Sequence, residues 1–394
     1  MVGAGPAGTA AATLLARAGR SVMLVDKALF PRDKCCGDGL TTLALRELEA
    51  LGLQPENVPN WQTVDVAMVR SPSGRELCLA MPTDGIYAAT TPRRELDAAL
   101  VELARDAGVD VRDGHGIEAL QQFDDRVDVT IAALGRVSAS FVVAADGMWS
   151  PTRKLLGLAE PGYLGEWHAV RQYAKNVTGP AADRLCVWFE PDLLPGYAWS
   201  FPLPGGRANL GFGVLRDGSR SGADIKAEWA TLLGRQHIRE ALGPDVELEG
   251  RHTAWPIPAG VDRAVLTTGR TMFVGDAARA TDVMTGEGIG QAVLTGRLAA
   301  EALLGSWHDD AERVRAVYEK SVRHHLYADH RMSKVLNRAL ARPLIARGAV
   351  RVAGLTAWTR RNFVRWMFED EPRAVLLTPR RWHRRLFQQH GTYR

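Results

Sequence analysis

Met1-Val-Gly-Ala-Gly-Pro-Ala-Gly8 opens the chain, and Asp26 completes its meaning. Gly3, Gly5 and Gly8 form G-x-G-x-x-G at the entrance to an apolar, Ala-rich run, Thr9 to Ala18. After Gly19, Ser21-Val-Met-Leu-Val25 reads as a short β-branched strand that ends in the acid. The order is strand end, glycine turn, helix, strand, acid. The first glycine allows the tight turn, the second lets the backbone approach a pyrophosphate, and the third lets helix and strand pack closely. The helix N-terminus offers N–H groups and a positive dipole end to phosphates. An acid about 20 residues on suits a ribose hydroxyl. The stretch therefore predicts a dinucleotide-binding unit. A parallel strand takes about five residues, yet only Met1-Val2 precede the turn, so we expect a native start several residues upstream.

A chain of 394 residues exceeds the usual single-core limit, which predicts two joined domains. Cys35, Cys36, Cys78 and Cys186, with no signal peptide, imply reduced thiols and a cytoplasmic setting. The Cys35-Cys36 pair lacks zinc or redox spacing, and no metal site is read. No apolar run reaches the ~18 residues that span a bilayer. Charge is uneven: residues 331–394 hold 15 Lys and Arg against 3 Asp and Glu, while the whole chain is only +4. A basic tail on an acidic body suggests a polyanionic surface as partner.

Alternation predicts a hairpin about Ser71-Pro-Ser-Gly74 within residues 62–91. Pro92 opens a helix over 93–107. Short strands follow to Ala144. From Glu166 the pattern turns β-rich: strands over 167–174, 184–190, 197–202 and 207–215 form one antiparallel sheet, with Pro204-Gly-Gly206 as a turn. Glu247 to Ile257 is another strand, Thr271 to Val274 a buried one, and Glu287 to Leu304 a helix. The expected fold class is α/β (α+β). A Rossmann-type domain covers 1–160 with 260–305 and carries the 62–91 hairpin as an insertion. A β-rich substrate domain covers 161–259, and a basic helical region covers 306–394.

Three further segments fit a flavin dinucleotide. Val142-Val-Ala-Ala-Asp146-Gly147-Met-Trp-Ser150-Pro-Thr-Arg153 puts polar groups at the carboxyl end of the sheet. Met272-Phe-Val-Gly275-Asp276-Ala-Ala is followed by Met284-Thr-Gly286-Glu287-Gly288-Ile289-Gly290. Asp276 can accept from a ribityl hydroxyl. The helix at Glu287 should aim free N–H groups at the N1–C2=O edge of the flavin, where reduced flavin is negative. Cys35-Cys36-Gly37-Asp-Gly39 has glycines that permit close backbone contact with the ring.

This motif set resembles the geranylgeranyl reductase family, flavoproteins of the p-hydroxybenzoate-hydroxylase fold, over about residues 1–305. Tyr197-Ala-Trp199-Ser-Phe201-Pro202 with Asn209-Leu-Gly-Phe-Gly213 is similar to that family's Tyr-x-Trp-x-Phe-Pro segment. Flavin halogenases carry Trp-x-Trp-x-Ile-Pro at the comparable place. The resemblance implies FAD as cofactor. Its contacts would fall on Ala7, Asp26, Cys36, Gly37, Gly39, Arg93, Gly116, Asp276, Gly288 and Ile289, beside the glycine turn and Asp146.

The resemblance further implies reduction of isolated C=C bonds of a prenyl chain on a lipid, diphosphate or quinone. Hydride would pass from the flavin to one carbon and a proton to the other, in a dry apolar pocket. Tyr197, Trp199 and Phe201 alternate and share one sheet face, so they are the expected substrate wall. Cys36 and Tyr197 are the candidate proton donors. With no second dinucleotide fingerprint, electrons come from NAD(P)H bound without its own Rossmann unit, or from a protein reductant. Trp358, Phe363, Trp366, Phe368 and Trp382 among the C-terminal arginines suit an anionic membrane interface on its inner face. The charge pattern gives no reason for nucleic acid. An FAD- and NADPH-dependent aromatic monooxygenase of the same fold is the alternative.

Overall fold

The computed structural model describes all residues except 217, 219, 306–309, 380–381 and 383–388. The expected start of the C-terminal region, residue 306, lies outside the described residues.

The opening motif folds as its spacing requires. The glycine turn leads into helix α1 (Pro6–Arg17), with Gly5 as N-cap and Pro6 at the first helical position. Proline suits that position because its missing N–H would have no helical partner. Strand Met23–Asp26 pairs in parallel with Asp110–Asp113. Val142–Ala144 pairs in parallel with Thr271–Phe273. Val2 bridges the two pairs, parallel to both Val25 and Ala144. These segments therefore form one parallel sheet, although some 125 residues lie between the last two strands. α1 crosses helix α2 (Ile289–Gly305) closely; a Cβ on Gly296 would lie 2.2 Å from the Ala7 carbonyl oxygen. A core of Val143, Met272, Phe273, Leu294 and Leu298 sits beneath them.

The β-rich segment forms a seven-stranded sheet. Its order is 247–257, 167–175, 207–215, 197–203, 185–188, 66–70 and 76–80. The hairpin Val66–Arg70 and Glu76–Ala80 is thus hydrogen-bonded into this sheet, through parallel pairing of 185–188 with 67–70. Sequence order had grouped it with the nucleotide-binding unit; long-range strand pairing assigns it elsewhere. One face of the sheet packs on Ile225, Trp229 and Ile238 of its covering helices. The other face meets the C-terminal helices through Val350, Val364 and Phe368.

Those C-terminal helices are α3 (Ala328–Leu340), α4 (Pro343–Ala353) and α5 (Ala357–Met367). No helix among the described residues is long and apolar enough to cross a membrane.

Candidate active site

One cavity of about 720 Å³ runs from the glycine turn to the C-terminal helices. Every residue expected to hold cofactor or substrate lines it except Gly8. Gly8 lies beneath the turn, where a Cβ would come within 1.9 Å of the Gly3 oxygen.

At the cavity's first end, no side chain caps α1, so its first-turn amides are left for a ligand. Gly3 has φ 97°, a region glycine enters freely. A Cβ on Gly5 would meet only Arg32, at 3.7 Å, so the cradle is open toward the cavity. Asp26 accepts from the Ala4 and Ala28 amides, each at 2.8 Å. Each carboxylate oxygen keeps a second lone pair for a hydroxyl. Uncapped amides, an open glycine cradle and this acid fit the diphosphate and ribose of FAD. Asp146 serves the fold more directly: its carboxylate accepts from the Ser150 hydroxyl at 2.6 Å and the Thr152 amide at 2.8 Å.

The Cys35–Gly39 loop is held from the seven-stranded sheet. Asp38 is buried with φ 65°. Its carboxylate accepts from the Tyr173 hydroxyl at 2.7 Å and from Asn209 Nδ2 at 2.8 Å. Burial pushes this carboxyl up to about 6, against those hydrogen bonds. Arg93 reaches the same corner, but its guanidinium is paired bidentately with Asp97 at 2.8 Å. The loop glycines also sit against the aromatic ladder. Cβ atoms on Gly37 and Gly39 would meet the Phe201 ring at 3.3 and 2.9 Å. A side chain at Gly39 would have to displace the Phe201 ring, and one at Gly37 would crowd it.

The aromatic ladder forms as alternation predicts. Tyr197 and Trp199 have ring centroids 5.9 Å apart, and Trp199 and Phe201 6.0 Å. The Tyr197 hydroxyl donates to the Thr285 carbonyl. Burial pushes the Cys36 thiol up to about 11.

Asp276 lines the cavity beside Thr281, whose hydroxyl donates to it at 3.3 Å. The start of α2 departs from expectation. The helix begins at Ile289, not Glu287, and the Glu287 Oε1 accepts from the amides of Ile289 and Gly290 at 3.0 Å each. Two amides expected to be free are therefore capped by the chain itself.

The C-terminal region supplies the cavity's far wall. Leu336, Leu340, Ala346, Val350, Phe363 and Trp366 line it. Of the five aromatics expected at a membrane interface, Phe363, Trp366 and Phe368 turn inward, while Trp358 and Trp382 are exposed. The spacing of Leu336 with Leu340, and of Phe363 with Trp366, is the helical signal that an inward face carries. Asp38 and Asn209 stand in stretches whose motifs are legible, but their link to each other and to Tyr173 is not, because nothing local joins three polar residues so far apart in the chain.

A model of the FAD binding domain family matches residues 1–313. The menaquinone reductase of Mycobacterium tuberculosis is 34% identical over 316 residues, spanning 77% of this chain and 75% of that protein. Digeranylgeranylglycerophospholipid reductase 2 of Methanopyrus kandleri is 31% identical over 319 residues, spanning 79% and 77%. The crystal structure of a geranylgeranyl bacteriochlorophyll reductase-like protein from Thermoplasma acidophilum superposes with a TM-score of 0.76 at 22% identity. It covers 96% of this chain and 97% of that one.

Proposed function

This chain belongs to the geranylgeranyl reductase family of FAD-binding flavoproteins, and on that premise we propose that it reduces C=C bonds of a prenyl chain borne by a lipid, diphosphate or quinone. The observation that carries the reading is the continuity of the cavity. It joins the dinucleotide turn to an apolar wall built by Tyr197, Trp199, Phe201, Phe363, Trp366 and Val350. FAD, once reduced by NAD(P)H or a protein reductant, supplies the hydride equivalent for the alkene. The chain's own part is to bind and align. Gly3, Gly5, Ala7 and Asp26 take the diphosphate and adenosine ribose. Cys36, Gly37, Gly39, Asp276, Gly288 and Ile289 flank the ring, with Arg93, Gly116 and Asp146 framing the site. The aromatic ladder holds an isoprene unit against the ring and keeps water away, which strengthens every polar interaction inside.

The prenyl chain enters at α4. Ala349 lines the cavity and is also exposed, so the cavity opens there. Around it, Leu344 (78% exposed), Val352 (56%) and Trp358 (72%) face outward beside Arg342, Arg347 and Arg351. Apolar and cationic side chains at one mouth suit the surface of an anionic bilayer. In this reading the chain is cytoplasmic and peripheral on the inner face of the membrane.

The test is anaerobic. The FAD-loaded protein is reduced with dithionite and given a menaquinone with an unsaturated side chain or geranylgeranyl diphosphate. A product heavier by two hydrogens is expected by mass spectrometry. No such product, with an oxygenated one from aryl compounds, NADPH and air, would assign the chain to the monooxygenases instead.

A further inference from the structure

Alkene reduction needs a proton as well as a hydride equivalent. Cys36, Tyr197 and Glu287 are among the cavity-lining groups that can carry one. The Tyr197 hydroxyl is committed to the Thr285 carbonyl. Burial, and the nearby Asp282 carboxylate, push it above the ordinary phenol range. The Cys36 sulfur accepts from the Asp38 amide at 3.4 Å, and its thiol, at about 11, is a poor acid near neutral pH.

Glu287 differs in geometry. Its Oε1 accepts from the Ile289 and Gly290 amides at 3.0 Å, which fixes the side chain at the head of α2. Its Oε2 has no hydrogen-bond partner among the described residues, and the residue lines the cavity. We infer that Glu287 is the acid that delivers the proton to the alkene, an assignment that rests on the prenyl-reductase reading above.

The charged and titratable groups around Glu287 come from separate segments: Cys36 from the glycine loop, Tyr197 from the sheet, Asp282 from the preceding turn, Glu369 and Arg373 from the C-terminal region. Arg373 pairs with Asp282 and, at 2.7 Å, with Glu369. Asp282 also accepts from the Met284 and Thr285 amides at 2.8 Å. Despite burial, these partners hold Asp282 ionised and its carboxyl below the usual range. One guanidinium cannot offset the three carboxylates gathered here. Burial pushes the Glu369 carboxyl up to about 7 even beside Arg373, and Glu287, which makes no ion pair with that guanidinium, is pushed further. Burial first, then the Glu369 charge, raise its carboxyl to about 8. An acid of that strength is protonated at neutral pH and still releases its proton readily, as general acid catalysis requires.

In the step, the Glu287 O–H bond breaks and a C–H bond forms at one alkene carbon from the π pair. The other carbon receives the hydride equivalent. The carboxylate left behind regains its proton from water after turnover. The electrons come from the reductant that reduces the cofactor, NAD(P)H or a protein.

The test uses the FAD-loaded enzyme and Glu287→Gln, whose amide oxygen can still accept from Ile289 and Gly290. Infrared difference spectra against pH, with no substrate, should show a carboxyl titrating near pH 8 in the wild type and absent from E287Q. Wild-type protein with no such carboxyl overturns the inference without any variant. In anaerobic single turnover with an unsaturated menaquinone, E287Q should bind and reduce FAD normally yet transfer to the alkene about 10²–10⁴-fold more slowly. Its rate should also lack the wild type's fall above pH 8, and Glu287→Asp should restore part of it. An E287Q rate and pH profile equal to wild type would overturn the assignment while leaving the reductase reading intact. A wild type that reduces no prenyl alkene would remove both.

Discussion

Asn209 donates from Nδ2 to the backbone carbonyl of Cys36 across 2.8 Å, and the same nitrogen reaches the Asp38 carboxylate at 2.8 Å. A single amide on the seven-stranded sheet thus ties down the glycine loop that lines the cavity. Asn209→Ala removes both bonds and leaves Asp38 with one fewer donor in a buried site. The expected cost is about 1–3 kcal/mol. It should appear as a lower melting temperature and faster release of flavin fluorescence; flavin retention equal to wild type would refute the tie.

Gly5 and Gly8 separate cofactor binding from folding. A methyl on Gly8 meets the Gly3 oxygen at 1.9 Å, whereas one on Gly5 meets only Arg32 at 3.7 Å and otherwise enters the cavity. Gly8→Ala should fail to fold or melt far below wild type. Gly5→Ala should fold, with unchanged far-ultraviolet circular dichroism, and purify without FAD. A yellow, fully loaded Gly5→Ala protein would show that the diphosphate does not lie over this glycine.

The mouth at α4 makes two predictions. Ala349→Trp should raise KM for a prenyl substrate presented in vesicles while leaving kcat and FAD content near wild type. The combined reversal of Arg342, Arg347 and Arg351 to Glu should abolish flotation with anionic vesicles. Each arginine near such a surface contributes about 1 kcal/mol. Flotation that persists in the triple variant, or that needs no anionic lipid, would count against this surface.

Glu287 also couples stability to pH. Burial and the Glu369 charge push its carboxyl up to about 8 in the folded chain, against the usual 4.5. Below about pH 4.5 both states hold the proton and the folded state bears no penalty. Between 4.5 and 8 only the unfolded state releases it, so stability falls as pH rises, and the loss is complete above 8. Glu287→Gln lacks this dependence. Its advantage over wild type in chemical denaturation should therefore grow from pH ~5 to ~9; a constant difference would mean that Glu287 is ionised in the folded protein.

The local motifs were legible because their physics is local. A glycine turn, the helix behind it and the acid at the next strand end are set by backbone conformation within 26 residues. The Tyr197, Trp199 and Phe201 ladder follows from strand alternation alone. The helix starts at Ile289, two residues later than its spacing suggests, because Glu287 turns back to cap amides that its own helix would otherwise expose. Spacing groups Phe363 with Trp366 on one face of α5, but it does not say what that face meets. Arginines and aromatics suit a lipid surface, yet Arg365 is buried with Asp370, and Phe363 and Trp366 face the cavity.

By itself, then, the sequence determined the dinucleotide turn, the flavin motifs, the aromatic stripe and the family they resemble. Each depends on neighbours a few residues apart. Only the tertiary structure decided that the 66–80 hairpin extends the seven-stranded sheet, that Asn209 and Tyr173 anchor the Cys36 loop, and that the basic C-terminal helices close the cavity. It also brought Asp282, Glu287, Glu369 and Arg373 together. These relations join residues tens to hundreds of positions apart, where strand pairing and shared burial, rather than any local preference, choose the partner.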